Sequence, residues 1–146
     1  MNIRKLNEED YQDILVKWWL DWGWETPPNR DILPENGESG VIVYQDEVPV
    51  CAGFIYSSNS SVAWISWIIS NKNYRDREKR RESIKSLIET LSVVGKNLGA
   101  KYCYINFSSS HLVKPSEELG FVKGSVTQEM FKIWEKKQQD QQHQED

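Results

Sequence analysis

Six basic side chains, Lys72, Arg75, Arg77, Lys79, Arg80 and Arg81, crowd into positions 72 to 81, with Asp76 and Glu78 as the only acidic residues among them. Guanidinium and ammonium groups at that density suit charge-assisted hydrogen bonds to a compact anion such as a phosphate. Directly after them, Ile84, Leu87, Ile88, Leu91, Val94 and Leu98 recur at offsets of 3, 4, 7, 10 and 14, the period of a helix that buries one stripe. The basic cluster therefore falls on the first turns of a helix, where positive charge is unfavourable unless an anion meets it. The plainer alternative is a set of solvated charges paired with Asp76 and Glu78. His111 is the sole histidine in a stretch able to fold, and it reads either as a proton carrier or as a surface loop residue. Cys51 and Cys103 fall inside strand-like runs, where a thiol behaves as a small buried hydrophobe. With two cysteines and no ligand spacing to His111 or His143, no metal or redox site is expected.

The elements that must position these groups can be read outward from the helix. Val62 to Ser70 is rich in Trp, Ile and Val without charge, which predicts a strand buried on both faces. Gly99 is the expected helix stop, and Lys101 to Phe107 is a second strand-like run. A helix of that length between two strands predicts a parallel pair with a right-handed crossover and a ligand outside the carboxyl end of the first strand. That end is the basic turn.

Toward the amino terminus, Asn2 to Leu6 reads as an edge strand, and Asn7 as the cap of a helix with Glu8, Glu9 and Asp10 in its first turn. Tyr11, Ile14, Leu15, Trp18 and Trp22 form its expected buried stripe. Trp18 and Trp22 are assigned to the core, whereas Trp19 and Trp24 are open to a role as an aromatic wall. Residues 25 to 39 carry three prolines and predict a binding loop or lid with at most one helical turn around Asp31 to Leu33. Gly40 to Tyr44 and Val48 to Tyr56 are strands joined by a tight turn at Gln45, Asp46 and Glu47, and Asn59 and Ser60 turn into the Val62 strand, giving an antiparallel meander. Lys114 to Leu119, stopped by Gly120, predicts a short helix. Phe121 to Val122 and Val126 to Trp134 predict a final hairpin. One domain spans 1 to 134, and the apolar-free tail 135 to 146 is expected to be disordered.

Length and charge bound the function. A chain of 146 residues buries roughly 70% of its unfolded surface and needs no staple. The net charge is −4, so the basic segment, at +4, sits on a remainder at −8. A local basic patch on an acidic protein favours a compact anionic ligand over coating of nucleic acid, which needs a broader positive face. No run approaches the ~20 apolar residues that cross a bilayer, and the amino terminus lacks the apolar core of a signal peptide. A cytoplasmic protein without a membrane partner is expected.

The order strand, helix, loop, three-strand meander, long helix, strand, short helix, hairpin resembles the GNAT family of acyl-CoA-dependent N-acyltransferases over nearly the whole chain. Glu118-Leu119-Gly120-Phe121 is similar to the Lys-Leu-Gly-Phe that ends the family's last helix. The Trp-rich amino terminus resembles a small phage-borne branch. The resemblance implies a mixed α/β (α+β) sheet flanked by helices, with an antiparallel meander and a parallel central pair splayed at the cofactor site. It implies acetyl-CoA as donor, its pantetheine arm along the Trp64 to Ser70 strand and its pyrophosphate at Tyr74 to Ser83. The cofactor-binding residues so implied are Trp67, Ile68, Ile69, Ser70, Arg75, Arg77, Lys79, Arg80, Arg81, Ser83 and Asn106.

Two departures stand out. The family's glycine-containing phosphate loop is replaced by a stretch without glycine from Gly53 to Gly95; Lys79 takes the family's Arg or Gln position, and Glu82 and Ile84 stand where its glycines belong. Side chains must then do what bare backbone does elsewhere. Ser116 occupies the place of the family's proton-donating Tyr, so the acid is Ser116, Tyr104, His111 or water. Ser57 to Ser70 also lacks a carboxylate base. Trp19, Trp24, Trp64 and Ser66 fall on the acceptor side. The function implied is transfer of an acetyl group to a primary amine of a small molecule or peptide. One alternative is a GNAT-shaped binding protein without cofactor chemistry that engages a host protein or nucleic acid through the basic turn; another is transfer from a phosphorylated or tRNA-linked donor. A homodimer is admitted as a further partner.

Overall fold

A computed structural model describes residues 1–134; the expected disordered tail lies outside the described residues. Five strands form one sheet in the order β1 (Asn2–Lys5), β2 (Gly40–Gln45), β3 (Val48–Tyr56), β4 (Val62–Ser70) and β5 (Tyr102–Ile105). The first four pair antiparallel, while β4 and β5 are parallel. Their crossover is the long helix expected from the apolar spacing, α3 (Arg77–Asn97). The β2–β3 hairpin turns at Asp46 and Glu47, both with positive φ (49° and 68°), as a tight two-residue turn requires.

Alternate residues of β2 serve two cores. Val41 and Val43 pack with Cys51, Ile55, Ile65, Leu87, Ile88 and Leu91 on the α3 face. Ile42 packs with Leu6, Leu15, Trp18, Trp19 and Phe54 under the amino-terminal helix. The sheet is thus covered on both sides at its centre, while Trp64 on β4 and Tyr102 and Tyr104 on β5 are exposed. Full two-sided burial of β4 was expected, but its β5 end has no helix over the face opposite α3.

The amino-terminal helix is three pieces in sequence: α1 (Glu8–Asp10), a π-helical turn (Tyr11–Leu15) and α2 (Val16–Asp21). Asn7 and Asp10 form a reciprocal capping box. The wider π turn advances the phase of the stripe, and Trp18 and Trp19 both enter the core. Trp22 does not. The helix ends at Asp21, and Trp22, as its C-cap, swings out over the end of β4.

Gly99 (φ +103°) closes α3 as expected, and Asp76 caps its start, but Leu98 is the exposed C-cap rather than part of the stripe. Gly95 is buried there instead: a Cβ on it would meet Ala63 Cβ at 3.1 Å and Ile55 Cδ1 at 3.0 Å. The 25–39 loop holds one 3-10 turn, at Arg30–Ile32, followed by a tight turn at Pro34–Gly37 in which Glu35 and Asn36 take left-handed φ of 50° and 57°. After β5, a 3-10 turn at Ser110–Leu112 leads to α4 (Val113–Glu118) and Gly120. The expected final hairpin is not formed: residues 121–134 contain no strand, and beyond Phe121 they are exposed. Alternating apolar residues suit a strand, but a strand exists only when another strand accepts its hydrogen bonds. No helix among the described residues is long and apolar enough to cross a membrane.

Candidate functional site

The two parallel strands run together only from Val62↔Tyr102 to Ile65↔Ile105. Asn106 N–H still donates to Ile65 O at 3.4 Å. Beyond that bond, β4 continues to Ser70 while the chain after β5 departs, so the strands part as expected. The cause lies in β4. Phe54 faces Ser66 and Ala52 faces Ile69, so one extra residue is accommodated in β4 as a bulge, which bends a strand and re-aims its side chains. Trp67 sits in this bulge with φ +61°, a conformation that is strained for a bulky residue and persists only where its surroundings enforce it.

Those surroundings are aromatic. Trp67 Nε1 donates to Tyr56 Oη at 2.7 Å, and the Tyr56 hydroxyl donates to Ile32 O at 2.8 Å. The Trp67 ring meets Trp19 edge-to-face at 6.4 Å and lies 6.1 Å from Trp24, which is itself 6.2 Å from Trp19. Of the expected acceptor wall, Trp19 is therefore core, 1% exposed, while Trp24 keeps an open face at 42%. Burial pushes the Tyr56 phenol above its ordinary pKa, against the opposing Trp67 hydrogen bond. It remains a neutral donor and ties the loop to the bulge. Sequence reasoning passed over Tyr56; its only signal was an aromatic with a polar tip at the last position of a strand. Tyr11 was likewise assigned to packing alone, yet its hydroxyl anchors the loop at Pro28 O (2.6 Å).

On the other side of the parting, Trp64 and Tyr104 stack at 4.9 Å, and Trp64 Nε1 donates to Asn106 Oδ1 at 2.8 Å. The structure thus brings together three residues that the sequence had assigned to different roles. Ser66 is half-buried beside the bulge. Ile69 is buried in the amino-terminal core and Ile68 packs against the α3 core, so only their backbone is available to a ligand. Ser70 O already accepts from Trp22 Nε1 at 2.8 Å.

The basic turn sorts into occupied and available groups. Arg80 turns inward, its guanidinium donating to Asn71 O at 3.1 Å and to Tyr74 O. It holds the turn together instead of facing outward. Arg81 and Lys85 both meet Glu118 at 3.3 Å, and hydrogen bonding from Lys85 holds that carboxyl below its ordinary pKa. Lys79 lies 3.9 Å from Asp46. Lys72 reaches Asp21 O at 3.4 Å and covers the Trp22 ring. Arg75 and Arg77 remain exposed and, among the described residues, have no carboxylate partner. On the plainer alternative Asp76 and Glu78 pair with the cluster, but the Asp76 carboxylate instead accepts from Lys79 N–H at 3.1 Å, satisfying one of the free donors at the helix start.

Ser83 does not face a ligand. It is fully buried, donates to Lys79 O at 2.8 Å and accepts from Gln45 Nε2 at 3.1 Å. The helical period carries its side chain inward with Leu87. Ser116 is also buried, its hydroxyl without a partner among the described residues, so it does not reach solvent. His111 is exposed in the loop beyond β5, and Tyr104 stands at the foot of the parting. Cys51 is fully buried, which pushes its thiol far above the ordinary range. No cluster suited to a metal ion occurs among the described residues.

No protein-family profile matches the sequence, and no curated protein matches it. Solved structures do match in fold. Glucosamine-6-phosphate N-acetyltransferase from Arabidopsis thaliana superposes with a TM-score of 0.62 at 14% identity, over 92% of this chain and 98% of that one. An aminoglycoside acetyltransferase from an uncultured soil metagenomic sample gives 0.62 at 10% identity, over 90% and 95%. A Mycobacterium tuberculosis protein solved in complex with CoA gives 0.62 at 11% identity, over 80% and 70%. The mixed sheet with a parallel β4–β5 pair is the GNAT fold that these neighbours share.

Proposed function

We propose that this chain is an N-acyltransferase that moves an acyl group, acetyl in the first instance, from a CoA thioester to a primary amine. The observation that carries this reading is the parting of β4 from β5 at a bulge, which leaves β4 beyond Ile65 paired with β3 on one side but without a strand on its β5 side, beside the basic start of α3. An unpaired strand edge accepts an extended amide-bearing arm such as pantetheine. Arg75 and Arg77, exposed and without a carboxylate partner among the described residues, suit the phosphates at the arm's far end. The fit is through side chains: Asp76 occupies one backbone donor of the helix start, and no glycine lets a phosphate approach the backbone.

The amine nitrogen attacks the thioester carbonyl carbon as the C–S bond breaks, and the proton it sheds reaches the leaving sulfur by way of Tyr104, His111 or water. The protein contributes mainly position. Trp24 and Trp67 flank the acceptor on one side, with Trp64 and Tyr104 on the other. The fold likeness to enzymes named for sugar and aminoglycoside acceptors supports a small amine as acceptor. The reading as a binding protein without catalysis draws support from the inward Arg80 and the sealed Ser116, which remove two groups that the chemistry would use.

Titration calorimetry of the full chain with acetyl-CoA at near-physiological salt separates the two. Micromolar binding is expected, weakened about 10- to 100-fold by Arg75→Ala with Arg77→Ala, the loss of one or two charge-assisted bonds. Arg80 is left intact, because its removal would loosen the turn itself. Absence of acetyl-CoA binding would overturn the acyltransferase reading in favour of the binding protein.

A further inference from the structure

The sheet ends in two open edges of opposite character. β1, Asn-Ile-Arg-Lys, carries two charges, the usual means of blunting an edge against another strand. β5, Tyr-Cys-Tyr-Ile, carries none, and Tyr102 and Tyr104 are 64% and 55% exposed. An uncharged edge with exposed aromatics is a template for a further strand.

The same chain holds an unplaced strand sequence. Residues 121–134, FVKGSVTQEMFKIW, are dense in β-branched and aromatic side chains. Val126 is 100% exposed, Met130 86% and Trp134 85%. Segment and edge match in chemistry yet do not meet within one chain. The thirteen residues after Phe121 span roughly 43–47 Å when extended, ample to reach a neighbouring molecule.

We infer that two copies of the chain form a two-fold dimer by strand exchange, the 126–134 segment of each pairing along β5 of the other. A second copy fits better than any other occupant, because one contact repeated by symmetry covers both the apolar segment and the open edge, and the assembly closes. Each ladder extends the sheet past β5 and takes one face of the segment, Met130 with Trp134 or Phe131 with Ile133, out of water.

Sedimentation equilibrium of the full chain at about 20 μM tests this against the monomer mass of 17.1 kDa. Twice that mass is expected. Val126→Asp with Met130→Asp, and separately Tyr102→Lys, should each raise the dimer dissociation constant at least 100-fold while leaving the helical part of the far-ultraviolet circular dichroism unchanged. All three positions are exposed, so the fold survives the changes. Hydrogen exchange should show amides of 102–105 and 126–134 protected in the parent and released together in the variants. A monomeric parent overturns the inference, whether the segment is open or folded back on its own β5. A dimer that persists in either variant overturns it too, since the contact then lies elsewhere.

Discussion

Asp10 illustrates how a charge that reads as helix-dipole decoration is a structural joint. Its carboxylate takes two bonds from Arg4, at 2.8 and 3.0 Å, and a third from Asn7 N–H at 2.7 Å. Burial alone would raise its pKa, but the Arg4 hydrogen bonds, the Asn7 N–H and the Arg4 charge hold it below the ordinary range. A carboxyl depressed in the folded state contributes stability that is complete above its unfolded pKa of about 3.9 and is lost as pH falls through the lower folded value. Asp10→Asn should therefore cost about 1–3 kcal/mol at pH 7 and flatten the acid limb of stability below about pH 4. Urea unfolding across that range measures both; a variant with the parent's acid limb would remove Asp10 from the joint. The Asn7 cap was legible because capping is local. Arg4 was not, since its partnership depends on β1 lying beside the helix. The basic cluster divides along the same line: spacing showed six cations, but only folding decides that Arg80 turns inward while Arg75 and Arg77 stay exposed.

At the scale of elements, apolar runs and turn residues located four of the five strands closely, and the helical period located the long helix. It failed where the period changes. The π turn at Tyr11–Leu15 shifts the stripe and moves Trp19 into the core, and no residue type in it announces the change. The bulge at Trp67 is equally silent, since a left-handed Trp is held by tertiary contacts rather than by its own preference. β5 came out shorter than expected, four residues against seven, because the run after Ile105 has no strand to pair with once β4 bends away. The close approach of α3 to the sheet is the element-scale feature most open to test. Gly95→Ala adds about 1 kcal/mol of helix propensity but places its methyl 3.1 Å from Ala63 Cβ, where backbone must move. The expected outcome is net destabilisation of about 1 kcal/mol, within the range for overpacking. A raised melting temperature would mean that the helix can retreat from β4 freely.

At the scale of the molecule, a net charge of −4 conceals a basic pole, and the proposed donor is the ligand that would sense it. Exposed Arg75 and Arg77 are screened by salt, with a Debye length of about 10 Å at 0.1 M and about 3 Å at 1 M. Acetyl-CoA affinity should thus fall several-fold between those concentrations, while urea stability changes little; a salt-independent affinity would place the phosphates away from the pole. The sheet order and its parting were legible in outline from the succession of elements. The exposed 121–134 segment was not, because a sequence shows that residues suit a strand but not which copy of the chain supplies the neighbouring one. The aromatic cluster under the bulge has a different consequence. Trp19, Trp24 and Trp67 lie 6.1–6.4 Å apart, near enough for the electronic transitions of their indoles to mix. The protein should carry a coupled circular dichroism band of its own, an unlabelled optical reporter that shifts whenever a molecule settling against Trp24 or Trp67 retunes the trio.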